Sequence, residues 1–178
     1  VPAFHDHVFR HPDVFRAVVN IGGISNVSLL APGAPACGFD CGPGNVLLDA
    51  WVARHLGSEF DDGGRWAASG TAHAGLLERL LGDPYFARRP PKSTGRELFN
   101  LAWLDRHLAE AVAPVDVQAT LLELTARSIA EAIDRYGPAT REVYLCGGGA
   151  RNPRLCDRIG VRLPGRTVRP TDALGVPT

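Results

Sequence analysis

The stretch Arg16-Ala17-Val18-Val19-Asn20-Ile21-Gly22-Gly23-Ile24-Ser25-Asn26-Val27-Ser28-Leu29-Leu30 decides how the chain is read. Two runs rich in β-branched and apolar residues, 16–21 and 24–30, flank a Gly-Gly dipeptide. Such runs form strands, and Gly22-Gly23 suits a two-residue hairpin turn with positive φ. Past Pro32, Gly33 and Pro35, a third strand is expected near Ala36 to Phe39. Asp40-Cys41-Gly42-Pro43-Gly44-Asn45 then turns sharply into a helix from Val46 to His55, with an apolar stripe of Leu47, Leu48, Trp51 and Val52.

Downstream, residues 56–70 are polar and glycine-rich and read as loop. A helix from Ala74 to Leu81 is stopped by Gly82-Asp83-Pro84. A loop covers Arg88 to Arg96, and a helix runs from Leu101 to Ala111. The longest helix, Val115 to Tyr136, repeats Val117, Leu121, Leu124, Ser128, Ile129, Ala132 and Ile133 at helical spacing and ends at Gly137-Pro138. The strand Glu142 to Cys146 runs into Gly147-Gly148-Gly149, after which Asn152 caps a helix with Pro153 at its first position. A last strand is expected at Thr167 to Arg169. This order fits a mixed α/β layer fold.

The 178 residues suffice for one good core or two small lobes. Lys plus Arg equals Asp plus Glu, 19 against 19, which argues against a nucleic-acid binder and a polybasic membrane anchor. No apolar run approaches the roughly 20 residues of a spanning helix. His5, Asp6, His7, Arg10 and His11 break any signal-peptide pattern, so a soluble, cytoplasmic protein is expected. No CxxC pair occurs among Cys37, Cys41, Cys146 and Cys156, which argues against a zinc ribbon. Cys146 and Cys156 read as small buried hydrophobes. His5, His7 and His11 show no metal-site spacing, so no metal ligand is assigned. Without a Met anywhere, both ends read as cuts in a longer polypeptide.

Three glycine-rich turns follow strands, the place where α/β proteins put ligands. Glycine lets a ligand approach backbone N–H groups, and successive N–H groups make an anion nest. Gly22 and Gly23, flanked by Asn20 and Asn26, fit a phosphate or an ordinary hairpin. Asp40, before Gly42 and Gly44, could take a proton from an attacking hydroxyl or water, or merely cap the turn. The helix start beyond it would attract negative charge. Gly147, Gly148 and Gly149, followed by Asn152, fit a nucleotide or a bland tight turn, and they match neither GxGxxG nor a Walker A loop. Lys92-Ser93-Thr94-Gly95-Arg96-Glu97 could hold a sugar, or be a solvated loop.

Taken together, Asn20 to Asn26, Gly38 to Asn45, Leu48-Asp49-Ala50-Trp51, Asp83-Pro84-Tyr85-Phe86, Pro91 to Asn100, Cys146 to Asn152 and Thr171 to Gly175 resemble the anhydro-N-acetylmuramic acid kinase family, in that family's order. Pro2-Ala3-Phe4-His5 is similar to the crossover between the family's two domains. The resemblance implies an RNase H-like, actin-like ATPase fold with a cleft between two lobes, of which 1–14 would be the crossover and 15–178 the C-terminal lobe. It implies ATP and Mg2+ as cofactors and an amino sugar, anhydro-N-acetylmuramic acid, as substrate. Water would open the 1,6-anhydro ring and the freed 6-oxygen would be phosphorylated, a step in cell-wall recycling. On this resemblance Asp40 is the catalytic base. Asn20, Gly22, Gly23, Gly42, Gly44, Gly147, Gly148, Gly149 and Asn152 bind the nucleotide, and Lys92, Thr94 and Glu97 belong to a signature assigned to substrate.

Nothing matches the family's N-terminal Ser-Gly-Thr-Ser phosphate loop, so the N-terminal lobe would be a missing partner and the isolated chain inactive. Cys41 stands where the family usually has Thr, which would weaken a hydrogen bond. Self-association as a homodimer stays open. So do a non-catalytic nucleotide-binding or interaction module that needs a partner chain, and an unrelated sugar-processing enzyme.

Overall fold

A computed structural model describes residues 2–108 and 111–177. Five strands form one sheet: β1 (Arg16–Ile21), β2 (Ile24–Leu30), β3 (Cys37–Pro43), β4 (Glu142–Cys146) and β5 (Thr167–Pro170). Their order is β3-β2-β1-β4-β5. β1 pairs antiparallel with β2, and β2 with β3, whereas β4 lies parallel to β1 and to β5. The mixed sheet is the one expected from the hairpin and the later strand–helix–strand unit.

The helices are α1 (Pro2–Phe9), α2 (Val46–Leu56), α3 (Arg65–Ser69), α4 (Ala74–Leu81), α5 (Pro84–Ala87), α6 (Leu101–His107), α7 (Pro114–Tyr136) and α8 (Pro153–Arg162). α7 lies across one face of the sheet. Its Leu121, Leu124, Ile129 and Ile133 share a core with Ala17, Val19, Ile21, Val27 and Leu29. Alternation of side chains across a strand sends Val18 and Leu30 to the other face, where they bury Phe9 of α1. His5 of α1 also bonds through Nδ1 to Ser28 Oγ at 2.9 Å. The segment expected as crossover thus holds a helix docked on the sheet.

Several expectations need correction. Residues 56–70 hold a 3-10 turn at 62–64 and α3, because Asp61 accepts from the N–H groups of Trp66 and Ala67 and so starts that short helix. α5 was not expected either. Asp83 caps it by accepting from Tyr85 N, with Pro84 at its first position. β3 runs to Pro43, past the expected end at Phe39, since Gly42 and Pro43 still pair with Ser25 and Ile24. α6 ends at His107, with Leu108 already out of helical conformation, short of the expected end at Ala111; residues 109 and 110 lie outside the described ones. Gly22 and Gly23 do not have positive φ; among the described residues that conformation falls on other glycines, Gly147 included. The cysteines also differ: Cys41 is buried, while Cys146 and Cys156 are only partly so. Among the described residues no helix is long and apolar enough to cross a membrane.

Candidate active site

All three glycine turns meet at one end of the sheet. The carbonyl of Gly23 accepts from Gly44 N at 2.8 Å and Val46 N at 3.0 Å, and Gly22 O accepts from Asn45 N at 2.8 Å. The hairpin thus caps α2, and the N–H groups at that helix start are already used. They are not available to an anion, as the sequence reading supposed. Gly44 is required by this closeness: a Cβ there would run into Gly22 O and lie 3.2 Å from the backbone of Ile24. Gly42 is buried with Phe86 and Ser128 around it. Both glycines serve packing and neither presents a donor to the crevice. Thr125 of α7 pins the same turn, its hydroxyl donating to Pro43 O at 3.1 Å and to Gly44 O at 3.0 Å.

The hairpin's other side differs. Among the described residues, the N–H groups of Gly22 and Gly23 donate to no backbone carbonyl, and both residues are partly exposed. Gly147 and Gly149 fold against this hairpin. Gly147 has φ of 81° and packs on Asn20 and Ile21, while a Cβ on Gly149 would lie 2.7 Å from Ile21 Cβ. Gly148 stays exposed at the rim. Asn45 joins the bends, donating from Nδ2 to Ile21 O at 3.3 Å and standing beside Gly148 and Gly149.

Asp40 sits one strand in from this seam. The register pairs Asp40 with Asn26, Asn26 with Asn20, and Asn20 with Cys146. Cross-strand partners share a face, so these four form a polar row on the face opposite α7. Between Asp40 and Gly42 the register skips one residue, and Cys41 has no strand partner. This bulge turns Cys41 into the core while Asp40 stays partly exposed. Burial pushes the Cys41 thiol up to about 12, so it is inert there. The expected harm from Cys in place of Thr does not reach the crevice, because that side chain points away from it.

The carboxylate of Asp40 is fixed by the loop after α5. Thr94 N donates to Oδ2 at 3.0 Å, Asp40 N donates to Lys92 O at 3.2 Å, and Tyr85 OH donates to Asp40 O at 2.8 Å. Thr94 Oγ1 is buried with no partner among the described residues. Lys92 is turned elsewhere. Its ammonium lies 4.6 Å from the centre of the Tyr85 ring, in a small pocket with Cys41 and Arg135, and burial lowers its pKa. Glu97 is exposed, its carboxylate folded back over Gly95. Of the three residues assigned to substrate, only Thr94 touches the Asp40 carboxylate.

On the α7 side of the seam lies a cavity of about 470 Å³, with Asn45, Asp49, Phe60, Gln118 and Gly148 among its lining. Asn152 also lines it, though its Oδ1 accepts from Leu155 N at 3.0 Å to cap α8. Burial pushes the Asp49 carboxyl up to about 6, with Arg96 nearby opposing the shift. The Arg96 guanidinium also flanks Gly23. Asn26, Asn45, Asp49, Arg96 and Gln118 were absent from the predicted site set. The first four lie inside the glycine motifs or their flanks and were open to a closer reading. Gln118 sits in the middle of a helix with no motif around it.

A profile of anhydro-N-acetylmuramic acid kinases matches residues 1–178. The chain belongs to the anhydro-N-acetylmuramic acid kinase family. An anhydro-N-acetylmuramic acid kinase of Nitrosomonas europaea is 52% identical over 176 residues, covering 99% of this chain and 48% of that protein. The chain thus spans about half the length of the curated relatives it matches. Among solved structures, the activator of 2-hydroxyisocaproyl-CoA dehydratase from Clostridium difficile, with bound ADPNP, aligns at TM-score 0.57 and 17% identity, covering 91% of this chain and 56% of that one. Xylulose kinase from Rhodospirillum rubrum aligns at TM-score 0.57 and 17% identity, covering 89% of this chain and 34% of that one. These likenesses show the fold, that of an actin-like ATPase lobe, as the sequence resemblance implied. For this member of the anhydro-N-acetylmuramic acid kinase family, it is a single C-terminal portion.

Proposed function

We propose that this chain is the C-terminal lobe of a kinase that uses ATP to open 1,6-anhydro-N-acetylmuramic acid and phosphorylate it, giving N-acetylmuramic acid 6-phosphate. The observation that carries the reading is the placement of Asp40. It is a fixed, partly exposed carboxylate in a polar row that ends beside the unclaimed N–H groups of Gly22 and Gly23.

The residues fit a nucleoside triphosphate. Gly22 and Gly23 offer donors for phosphate oxygens, and the cavity beyond Gly148 falls in the size range of small-ligand sites. Among the described residues no three His, Cys, Asp or Glu side chains cluster to hold a metal. Magnesium would be held on the ATP phosphates with at most one or two carboxylates, its usual mode in kinases. ATP would supply the phosphoryl group, and the magnesium ion would screen its charge. Asp40 takes the proton of a water as that water's oxygen adds to the anomeric carbon. The bond from that carbon to the 6-oxygen breaks, and the freed 6-oxygen would take the γ-phosphoryl group as that group's bond to the β-phosphate breaks and ADP leaves. The Thr94 N–H holds one oxygen of Asp40, leaving the other for the water. A base placed this way accelerates by about 10²–10⁴-fold.

The chain alone carries one wall of the cleft and is expected to turn over negligibly. The test joins it behind the N-terminal half of the Nitrosomonas europaea relative and follows ATP-dependent formation of the sugar phosphate. The fused protein should be active. An inactive fusion that still folds and binds ATP would favour a nucleotide-binding module instead.

A further inference from the structure

In the loop from Lys92 to Glu97, Thr94 reaches the Asp40 carboxylate and Lys92 turns to the Tyr85 ring, while Arg96 reaches the glycine hairpin. The Arg96 Nη2 and Nε lie 3.9 and 4.0 Å from where a Cβ on Gly23 would stand. Its charge is unspent. Arg16 pairs with Glu142, Arg54 with Asp105 and Arg158 with Glu123. Among the described residues the Arg96 guanidinium has no hydrogen bond and no ion pair. Asp49 feels its charge without pairing to it.

The backbone that carries Arg96 is held on both sides. Thr94 N donates to Asp40 Oδ2 at 3.0 Å, and Asn100 Nδ2 donates to Arg96 O at 3.0 Å. One short strap thus holds the carboxylate and brings a cation to the hairpin. There the N–H groups of Gly22 and Gly23 donate to no backbone carbonyl among the described residues. A guanidinium is a planar fork of donors that fits phosphate oxygens. A cation beside two open amide donors is the complement of an anion with several oxygens. A phosphoryl group in transfer is such an anion. As its bond to the β-phosphate breaks and its bond to the attacking oxygen forms, charge spreads over its outer oxygens, and donors already in place lower the barrier.

We propose that Arg96 is a catalytic cation of the phosphoryl transfer, clamping the oxygens of the transferring group against the Gly22–Gly23 turn. This rests on the kinase reading above for the presence of a triphosphate, and adds the residue that steadies it. Asp40 then takes the proton of the water, and Arg96 holds the group that moves.

The experiment compares Arg96 with Arg96→Gln and Arg96→Lys, in the full chain and in the fusion described above. Calorimetry with inorganic tripolyphosphate and with AMP separates the outer phosphates from the nucleoside. Arg96→Gln should bind tripolyphosphate about tenfold more weakly, the loss of one charge-assisted contact, with AMP affinity within about twofold. In the fusion, turnover at saturating ATP should fall about 10³-fold, the lower end of what an arginine on the transferring group contributes. The KM for the sugar should hold. Arg96→Lys keeps the charge without the fork and should recover part of the turnover. The side chain is exposed and unpaired, so the melting temperature should not move. A lower melting temperature with turnover within twofold of the parent would make Arg96 structural and overturn the proposal. A raised sugar KM with turnover and tripolyphosphate affinity unchanged would give Arg96 to the sugar's carboxylate and overturn it equally. Both outcomes leave the kinase reading standing, since the intact fusion turns over. A folded intact fusion without turnover would defeat the kinase reading and this inference together.

Discussion

The two faces of the sheet meet at one glycine seam yet treat polar groups in opposite ways. On the α1 face, Asp40, Asn26, Asn20 and Cys146 form an open row, and the carboxylate is held by backbone groups from a neighbouring loop. On the α7 face, polar groups are taken out of water. Asp49 is pushed toward neutrality, Gln118 is closed off, and the cavity is walled by helices that also build the core. A partly exposed, firmly held carboxylate suits proton transfer, since it is reachable and fixed in place. A cavity with buried polar groups in its wall suits recognition, since each unmatched polar atom there penalises the wrong ligand. The seam lets both work on one molecule.

The sharpest attempt to break this division is Asp40→Asn in the fused protein. The amide keeps an acceptor for Thr94 N, so the loop should stay in place. Turnover should fall by about 10²–10⁴-fold, with ATP affinity within about twofold of the parent. Steady-state kinetics and calorimetry measure the two separately. A parallel loss of ATP binding would mean that the faces are one site, not two.

Gly44→Ala attacks the seam itself. Its Cβ would press on Gly22 O, a backbone atom with nowhere to go, and would disturb the three bonds by which the hairpin caps α2. Forced overpacking of this kind costs about 3 kcal/mol, read as a lower midpoint in urea unfolding. Gly149→Ala presses on Cβ and Cγ2 of the buried Ile21, side-chain atoms close to the backbone that can give only a little, so about 2 kcal/mol is expected. If the two variants cost the same, the seam is softer than its hydrogen bonds suggest.

The contrast between the faces also explains what could be read from the sequence. The hairpin, the strand before the triple glycine and the capped start of α8 all rest on local rules, so residues 16–30, 142–146 and 152–153 declared them. Asp40 drew attention as a carboxylate among glycines, although β3 runs on past it to Pro43. The role of its neighbours was not legible. Whether Gly42 and Gly44 give N–H groups to a ligand or merely make room depends on which carbonyls come to meet them, and those belong to the hairpin 20 residues earlier. Lys92 looked like a sugar contact, yet the ring of Tyr85 draws it to the opposite face. The bulge at Cys41 could not be seen in advance, since register depends on two strands at once. α7 was read as having one apolar stripe, but it is buried nearly all round between 117 and 126, sandwiched by the sheet and the outer helices. A glutamine on the supposed outer side of a stripe drew no notice. Only the packing of α3 and α8 against α7 makes it an interior residue.

The cavity side can be loosened without touching the seam. Glu123 of α7 holds α8 through Arg158, at 2.8 Å, and Arg162. Burial alone would raise its pKa, but the hydrogen bonds from the two arginines outweigh it and hold it below the usual carboxylate range. A depressed carboxylate stabilises the fold at pH above its unfolded value of about 4.3 and loses that contribution as pH falls. Glu123→Gln should cost about 1–2 kcal/mol at pH 7, a modest figure because the arginines are partly solvated. The cost should shrink in acid, and ATP affinity should drop more than turnover at saturating ATP. Equal losses in both would tie the cavity walls to the chemistry and blur the division.

Asp49→Asn is the gentlest probe and has the opposite pH sign. Burial raises the Asp49 carboxyl to about 6 in the fold, above an unfolded value of about 3.9. Between those two values the folded state binds more protons than the unfolded one, so stability falls as pH rises from about 4 to about 6 and stays lower beyond. Asparagine has nothing to ionise. The variant should match the parent below pH 4 and exceed it by roughly 1 kcal/mol at pH 8, a figure reduced from the full shift because the group is partly exposed. Melting temperatures across this range decide the matter. A gap that opens through pH 6 means that the α7 face suppresses charge by drying it. A gap of constant size, or one that favours the parent, would mean that Asp49 is held as a charged partner of Arg96, and that this side of the seam handles carboxylates as the Asp40 side does.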